Sequence, residues 1–418
     1  MDEKNINVDN KAKTADDSTL DKKPGMNLAQ VKKNKSWLVF LIIGVLALIG
    51  GVACLLFAFL KPVEEKVALS YPKIPSAAED EMGVYSSLTG EKLTSVELKN
   101  TPAYCIQVPN GTDGARPQAG LTEAGVVFEA IAEAGITRFA AIFQDPSTAI
   151  IGPIRSLRIY YLEWDTPFNC TIVHAGGASD ALAALSAGGY RDLTESYAYM
   201  YRGTYGARLW NNLFTTSNSL KQFGIDRGYD TSDINGFARM TPTESDRARI
   251  DALVSEKLDI TVPTTANTSE MAAKVASIGL RFGGWANFNV NYNYDLESNT
   301  YLRSYESGAP HEVYECPPEY LGERNPEDVC SLTQLAPSVV VAMIVSERKA
   351  SDNYHEDITT IGSGDAYIFQ NGAVEHGTWH KGSREEQIKF LDANGKEILL
   401  APGQTFVSAV PSYGSVDF

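Results

Sequence analysis

The apolar positions of this chain fall into short runs of strand length, except in one stretch near the N-terminus. Residues 37–60 form 24 consecutive positions without a charge. The apolar part of a secretory signal peptide is shorter, about 7–15 residues, whereas 24 residues cross a hydrocarbon core of ~30 Å. We therefore predict a transmembrane helix over 37–60, acting as an uncleaved signal-anchor. Lipoprotein processing at Cys54 is the alternative, although Gly51 fits that signal poorly.

The segments that flank the apolar stretch differ in charge. Residues 1–36 are polar, contain eight lysines against six acidic residues, and are predicted to be a disordered cytoplasmic tail. Lysines cluster before the span and few follow it, so the positive-inside rule places residues 61–418 outside the cytoplasmic membrane. Residues 61–95 contain three prolines and little periodicity, which is typical of a linker.

Residues 96–230 predict an N-terminal α/β domain. The run 103–110 indicates a strand, and Thr122 is a plausible N-cap for a helix that continues through Val126. The runs 137–144 and 149–158 predict two strands, and 159–168 is ambiguous between helix and strand. The clearest pattern is a strand at 170–173, a glycine turn and a helix over 181–187. It leaves His174 at the carboxyl end of a strand, where α/β sheets bind ligands.

The second half of the chain predicts a different architecture. Residues 231–270 indicate a helical connector, residues 271–412 a β-rich α+β domain, and residues 413–418 a short tail. Hairpins are predicted at Asn371-Gly372 and Asn394-Gly395. The fold class is thus an α/β N-terminal domain plus a β-rich C-terminal domain, preceded by one transmembrane helix. A chain of 418 residues, 44% hydrophobic, suffices for two such domains with a core each.

The net charge of −16 narrows the possible ligands. So acidic a protein repels a phosphate backbone at long range, and nucleic acid is not expected as a partner. Any anion must be held by a local group of arginines. No Walker A, G-x-S-x-G or G-x-G-x-x-G motif occurs, so no cofactor is predicted. Cys316 and Cys330 bracket a proline-rich loop, and we expect a disulfide there in an oxidising compartment.

The candidate site lies in the stretch Gly125 to Gly177, with Arg116 just upstream, where charged residues interrupt apolar runs. Its candidate ligand-binding residues are Arg116, Glu129, Glu133, Thr137, Arg138, Arg155, Ser156, Arg158 and His174. The planar fork of arginine suits phosphate and carboxylate, so the four arginines predict an anion site. The alternative is that they pair internally with the two glutamates as an ion-pair network that holds the fold.

The acidic and imidazole candidates have structural alternatives too. Glu129 and Glu133 are four positions apart and would share one face of a helix, where they could hold Mg²⁺ or act as a base. Salt bridges to the arginines are the other interpretation. His174 could serve as a general base or could cap the adjacent glycine turn. His376 and His380 lie on one face of a predicted strand without a third ligand, so no metal site is predicted.

Several of these motifs together resemble the YerB-like family, domain of unknown function 3048. They are Ala115 to Gln118, Glu129 to Phe139, Gly152 to Arg158, His174 to Ser179, Gly377 to Lys381 and Pro402 to Phe406. The similarity covers about residues 85–412 and implies a two-domain, membrane-attached protein outside the cytoplasm. It implies no activity. Many members resemble lipoproteins, and many carry a histidine where this chain has Asn211.

Three functions remain open on this basis. The first is an envelope protein that binds an anionic ligand through its arginines. The second is an enzyme, since a membrane-anchored body with arginines at strand ends is loosely similar to LytR-CpsA-Psr phosphotransferases acting on lipid-diphosphate-linked glycans. The third is a scaffold for protein partners whose nature the sequence does not indicate.

Overall fold

The structure, a computed structural model, describes residue 80 and residues 82–203, 211–258, 273, 274, 276–320 and 326–418. The predicted tail at 1–36, the predicted membrane helix at 37–60 and most of the predicted linker lie outside these residues. Within them, no helix has the length and apolarity to cross a membrane.

The described part contains four α-helices and 21 strands, together with short 3₁₀ helices. The helices α1 to α4 are Ile159–Asp165, Ser179–Ser186, Ser217–Arg227 and Pro242–Leu258. The strands β1 to β10 are Ala103–Pro109, Val126–Glu133, Ile136–Gln144, Thr171–His174, Arg191–Thr194, Met200–Arg202, Leu213–Thr215, Ala273–Lys274, Ser277–Arg281 and Val290–Asp295. The strands β11 to β21 are Thr300–Tyr305, Glu312–Glu315, Ser331–Gln334, Val339–Val345, Glu347–Lys349, Glu356–Ile358, Gly362–Gln370, Ala373–Lys381, Lys389–Leu391, Thr405–Pro411 and Ser415–Asp417.

One large sheet carries both halves of the chain. Its strand order is β19-β18-β17-β14-β20-β2-β3-β1-β4-β5, and β8 adds to β18. The strand β20, from the end of the chain, lies parallel to and between β2 and β14. The expected α/β and β-rich regions are both present, but they share a sheet and do not fold around separate cores. One apolar cluster contains Phe128 and Ile172 from the first half together with Val341, Trp379 and Val407 from the second.

The connector ties the two regions together. Arg239 donates through Nη1 to the carbonyl of Ala401, at 2.9 Å, and to Thr405 Oγ1, at 2.8 Å. Its Nη2 donates to the carbonyl of Leu88, at 2.7 Å. Burial lowers the pKa of Arg239 to about 10. Downstream, α4 begins with a reciprocal cap in which Thr241 and Glu244 bond each other's backbone N–H groups.

The prediction of a helix beginning at Thr122 is wrong. Only a single 3₁₀ turn, Leu121–Glu123, forms there, and Val126 opens the central strand β2. Every position of β2 is buried, because the sheet is covered on both faces. Burial on both faces removes the alternation by which a strand is recognised in a sequence.

The strand predicted over 149–158 is also wrong, and a neighbouring hairpin forms instead. Only isolated bridges occur there, at Ile151, Gly152 and Leu157, and Pro153 lacks the N–H that a ladder needs. The hairpin joins β2 to β3 through Ala134 and Gly135. The ambiguous run 159–168 begins with the helix α1. The predicted strand before His174, the helix after it and the hairpin at Asn371-Gly372 are all confirmed.

Candidate functional site

Glu133 lies between two of the candidate arginines at the end of β2. Its carboxylate is 3.1 Å from Arg138 Nη2 and also contacts Arg158 Nη2. The other Nη nitrogen of each arginine donates to backbone: Arg138 to the carbonyl of Ser156 at 2.7 Å, and Arg158 to that of Leu157 at 2.8 Å. All three charged side chains are buried. The internal ion-pair alternative therefore describes Glu133 correctly.

This cluster, the arginine trio of Arg138, Arg155 and Arg158, has more guanidinium donors than described acceptors. Glu133 is ion-paired with Arg138 and Arg158, and the carboxylates of Asp113 and Asp180 act electrostatically on Arg155 and Arg158. Arg155 is half-buried, and its guanidinium makes no hydrogen bond or ion pair with any residue that the structure describes. The Nε groups of Arg138 and Arg158 are buried and likewise unpartnered there. Donors of this kind are costly unless something accepts from them.

The pKa values of the trio are set first by burial and then by neighbouring charges. Burial lowers the pKa of all three guanidinium groups, and the positive charge of Arg138 lowers the pKa of Arg155 further. The phenol of Tyr354, an exposed residue, lies close enough to act on all three in the opposite sense. An isolated bridge between Glu133 and His355 holds the Tyr354 segment beside the end of β2.

Glu129, the second candidate carboxylate, belongs to a different buried network. It lies on β2 and not on a helix, so the proposed helical face shared with Glu133 is wrong. Arg303 Nη2 is 2.9 Å from both oxygens of Glu129, and both side chains are fully buried. Thr137 Oγ1 donates to Glu129 Oε1 at 2.9 Å.

These contacts extend into a closed ring of hydrogen bonds. Arg303 Nε donates to His311 Nδ1, His311 bonds Gln118, Gln118 donates to Asn110, and Asn110 donates to Thr137, with distances of 2.8–3.1 Å. The ring members are Asn110, Gln118, Glu129, Thr137, Arg303 and His311, each at most 1% exposed. The five bonds that lead from Arg303 through His311 to Glu129 all run in one direction, so they polarise one another, and the direct bond from Arg303 Nη2 to Glu129 closes the ring in the opposite sense.

The ring fixes the state of His311. An arginine Nε can only donate, so Nδ1 of His311 accepts and the proton of the neutral ring sits on Nε2, facing Gln118 Oε1. Burial, with the charges of Arg303 and Arg116, lowers the pKa of His311 well below its usual value. Burial also acts to lower the pKa of Arg303, but Glu129 and Tyr292 raise it overall. The positive charge of Arg303 is thus compensated by the equally buried carboxylate of Glu129.

Sequence reasoning missed Arg303, His311 and Gln118. Gln118 ends the Ala115–Gln118 motif, so the motif did point to that residue. For Arg303 the one indication was that a charged residue interrupts the apolar strand TYLRSY at an inward-facing position. Its partner Glu129 lies 174 positions away, and no local pattern links them.

Arg116 and His174 have structural contacts. The Arg116 guanidinium lies 4.1 Å above the Tyr305 ring, and its Nε donates to Asn110 Oδ1 at 2.8 Å. His174 is 1% exposed and bonds the carbonyl of Gly176 at 2.7 Å and Asp192 at 2.8 Å. The capping alternative describes His174. Ser156 Oγ donates to the carbonyl of Ala175 in the same turn, at 3.0 Å.

Two disulfides are present in the structure. Cys316 is bonded to Cys330, the pair that the sequence singled out. Cys105 in β1 is bonded to Cys170, just before the adjacent parallel strand β4. The second pair was not predicted, because its members are 65 positions apart and become neighbours only through the sheet. Asn211, which stands in place of a histidine, is buried and donates to Asp113 Oδ1 at 3.0 Å.

The fold and site define a class of protein with two regions on one sheet and a group of largely buried arginines at the end of the strand β2. Residues 88–230 match the N-terminal domain, and residues 280–407 the C-terminal domain, of the family described as "Protein of unknown function (DUF3048)". The chain belongs to this family, as its motifs predicted.

Two comparisons with Bacillus subtilis agree with the family assignment. The chain is 25% identical over 373 residues to a protein of strain 168 named "Putative lipoprotein YerB", covering 86% of this chain and 93% of the relative. It is similar to the crystal structure of the YerB protein with a TM-score of 0.62 and 23% identity, covering 80% of this chain and 100% of that one. The structural likeness extends to the fold alone.

Proposed function

We propose that this chain is a membrane-attached protein of the bacterial cell envelope whose residues 61–418 lie outside the cytoplasmic membrane. Three observations support this. The apolar stretch 37–60 follows a cluster of lysines. The two disulfides need an oxidising compartment. The Bacillus subtilis relative is named as a lipoprotein.

The mode of attachment can be tested directly. Protease added to intact spheroplasts should digest the body, and full protection would contradict the orientation. For a single-pass helix, Cys54→Ser should leave the protein in the membrane fraction at its full length. If Cys54 is instead the lipidated residue, that variant should lose fatty-acid labelling and accumulate unprocessed.

We also propose that the arginine trio binds a small anionic group, a phosphate or a carboxylate. The observation that carries this is the set of unused donors: the Arg155 guanidinium donates to no described residue, and the buried Nε groups of Arg138 and Arg158 have no described acceptor. A bound anion would accept from these donors and interact favourably with the three guanidinium charges. Burial strengthens such charge-assisted hydrogen bonds, because the local dielectric is lower than that of water.

The enzymatic alternative receives less support from the geometry. Both carboxylates that the sequence offered as bases are buried and ion-paired, Glu129 with Arg303 and Glu133 with two members of the trio. His174 is held by Gly176 and Asp192. None of the three therefore has the freedom to take a proton from a substrate bound at Arg155, and we do not propose a phosphotransferase or scaffold function.

Isothermal titration of the full chain in detergent with inorganic pyrophosphate tests the anion proposal. Arg155→Gln should weaken binding by about 1.5–3 kcal/mol, the size of a lost charge-assisted hydrogen bond. Its melting temperature should stay close to that of the parent, because Arg155 holds no described partner in place. Arg227→Gln is the matched control, an exposed arginine over the ring of Phe223 at the end of α3. Equal losses in both variants, or no binding by the parent, would refute the proposal.

A further inference from the structure

A cleft of about 620 Å³ opens beside the turn between β2 and β3, apart from the arginine trio. One wall comes from that turn and the opposite walls from the second half of the chain. The cleft is lined by Gly135, Gly283, Trp285, Glu347, Glu356 and Tyr413, among others. Of these six, only Gly135 lies in a motif from which the family was recognised, Glu129 to Phe139.

Two aromatic residues of the cleft are exposed and yet fixed in position. Trp285 is 68% exposed and Tyr413 58%. The indole Nε1 of Trp285 donates to the carbonyl of Ala134 at 2.8 Å, and the Tyr413 hydroxyl donates to Glu347 Oε1 at 2.8 Å. In contrast, Trp164 is 1% exposed and lies in the core. An indole that is held by its edge in the cleft offers a flat apolar surface that is already ordered before a ligand arrives.

Glycines allow the backbone to approach these rings. Gly283 has φ +73°, and a Cβ there would lie 2.5 Å from the Tyr413 ring. Gly135 has φ +78°, and a Cβ there would lie 3.1 Å from the Trp285 ring. Any other residue would be strained at both positions and would push the rings away. The cleft therefore depends on a specific local backbone on each side.

The polar groups of the cleft leave one carboxyl group unmatched. Glu356 is buried and ion-paired with Lys349. Glu347 accepts from Tyr413 through Oε1, while its Oε2 has no partner among the described residues. Burial and the charge of Glu356 raise the pKa of Glu347 to about 7, against the opposing effects of the Tyr413 hydrogen bond and of Lys349. Near neutral pH this carboxyl group is partly protonated, so it can both donate and accept.

We propose that this cleft binds a saccharide, with a sugar ring stacked on Trp285 and a hydroxyl group hydrogen-bonded to the carboxyl group of Glu347. Sugar rings combine a C–H face, which packs on an aromatic ring, with hydroxyl groups that donate and accept. The two basic residues that line the cleft are already paired, Arg348 with Asp357 and Lys349 with Glu356, so an anion would gain little from them and would face Glu347. A purely apolar ligand would leave Glu347 Oε2 without a partner at a cost in free energy. This inference is independent of anion binding at the trio.

Titration of the full chain with three soluble tetrasaccharides tests the proposal. The probes are the β-1,4-linked tetrasaccharides of N-acetylglucosamine, of glucosamine and of glucose. Binding is measured by calorimetry and by tryptophan fluorescence. At least one should bind, and Trp285→Ala should weaken it about tenfold or more, which is ~1.4 kcal/mol. Glu347→Gln preserves the acceptor for Tyr413 and should weaken binding severalfold. A preference for the glucosamine probe would indicate that the ligand carries an ammonium group.

Tyr197→Ala is the matched control, because Tyr197 is 70% exposed and lies outside the cleft. It should bind each probe as the parent does. Trp285→Tyr keeps an aromatic face and should retain most of the affinity, which separates stacking from a folding defect in Trp285→Ala. The proposal is overturned if no probe binds at concentrations up to about 10 mM, a free energy near −3 kcal/mol. Equal binding by the parent and Trp285→Ala would overturn it too.

Discussion

Glu129 and Arg303 form an ion pair with no solvent exposure on either side chain, across the boundary between the two regions of the family. The carboxylate is on β2 and the guanidinium on β11, with Nη2 2.9 Å from both oxygens. The rest of the buried ring joins the same two regions. Taking two charges out of water is expensive, so the pair is not evidence of net stabilisation, whereas the loss of one partner leaves an uncompensated buried charge.

Removing one member of this pair should be severely destabilising. Arg303→Leu leaves Glu129 buried without a counter-charge, and we expect a loss of about 3–5 kcal/mol in the free energy of unfolding. Urea unfolding of the full chain in detergent, followed by circular dichroism, measures it. Glu129→Leu combined with Arg303→Leu should recover much of the loss. Arg348→Leu, which breaks the exposed pair with Asp357, should cost at most about 1 kcal/mol.

Acid should destabilise the fold through His311. Its pKa is lowered in the folded state, so the unfolded chain binds the extra proton first as the pH falls below about 6.5. Stability should then decrease with falling pH by up to about 1.4 kcal/mol per pH unit for this group, until the pH reaches its folded pKa.

The comparison that isolates this contribution uses His311→Gln, whose amide can accept from Arg303 and donate to Gln118. The unfolding free energy of the variant should fall less steeply between about pH 6.5 and 5 than that of the parent. The acidic groups elsewhere act equally in both proteins and cancel in the difference. Parallel pH profiles would contradict the assignment of a neutral, buried His311.

The sequence predicted elements well where a local signal exists. The glycine turn after His174 and the Asn371-Gly372 hairpin have such signals, and both form as predicted. Where the outcome depends on distant partners, the pattern misled. The run from Val126 to Glu133 became a central strand because β20, nearly 280 positions later, pairs with it. The pairing of strands from the two halves in one sheet has no local sequence pattern from which it could be predicted.

The candidate site shows the same division. Sequence motifs brought together Arg138, Arg155, Arg158 and Glu133, which do lie at one end of β2 and β3. Which arginines are paired could not be predicted from these motifs, because it depends on where backbone carbonyls and Glu133 lie after folding. The ion pair between Glu129 and Arg303 could not be predicted either. Exposure of Trp285 was equally invisible, because most tryptophans in such sequences are core residues.

Both disulfides should form when the protein is produced and exported by its natural host cell. Mass mapping under non-reducing conditions should find Cys105 linked to Cys170 and Cys316 linked to Cys330. Closing a loop of 65 residues should contribute about 4 kcal/mol, and the shorter loop about 3 kcal/mol, if the native state is strain-free. Cys105→Ser with Cys170→Ser should therefore lower stability more than the other double variant. Free thiols at all four positions would contradict the pairing.

Glu133→Gln tests how the trio depends on the carboxylate that two of its members contact. The amide keeps the shape but removes the negative charge, so Arg138 and Arg158 stay buried without their ion-pair partner. We expect the free energy of unfolding to fall by about 3–5 kcal/mol, as for other buried pairs that lose one partner. Thermal melts of the full chain in detergent measure this loss.

Pyrophosphate should restore part of the stability lost in Glu133→Gln. An anion that binds only the folded state stabilises it by RT ln(1 + [L]/Kd), about 2.7 kcal/mol at a hundredfold excess over Kd. The variant has one negative charge fewer at the trio than the parent. Its melting temperature should therefore rise more than that of the parent at the same concentration of pyrophosphate. Sodium chloride at matched ionic strength is the control, because general screening would act on both proteins alike. If pyrophosphate and chloride raise the melting temperature of Glu133→Gln equally, the trio is a structural cluster and the anion proposal fails.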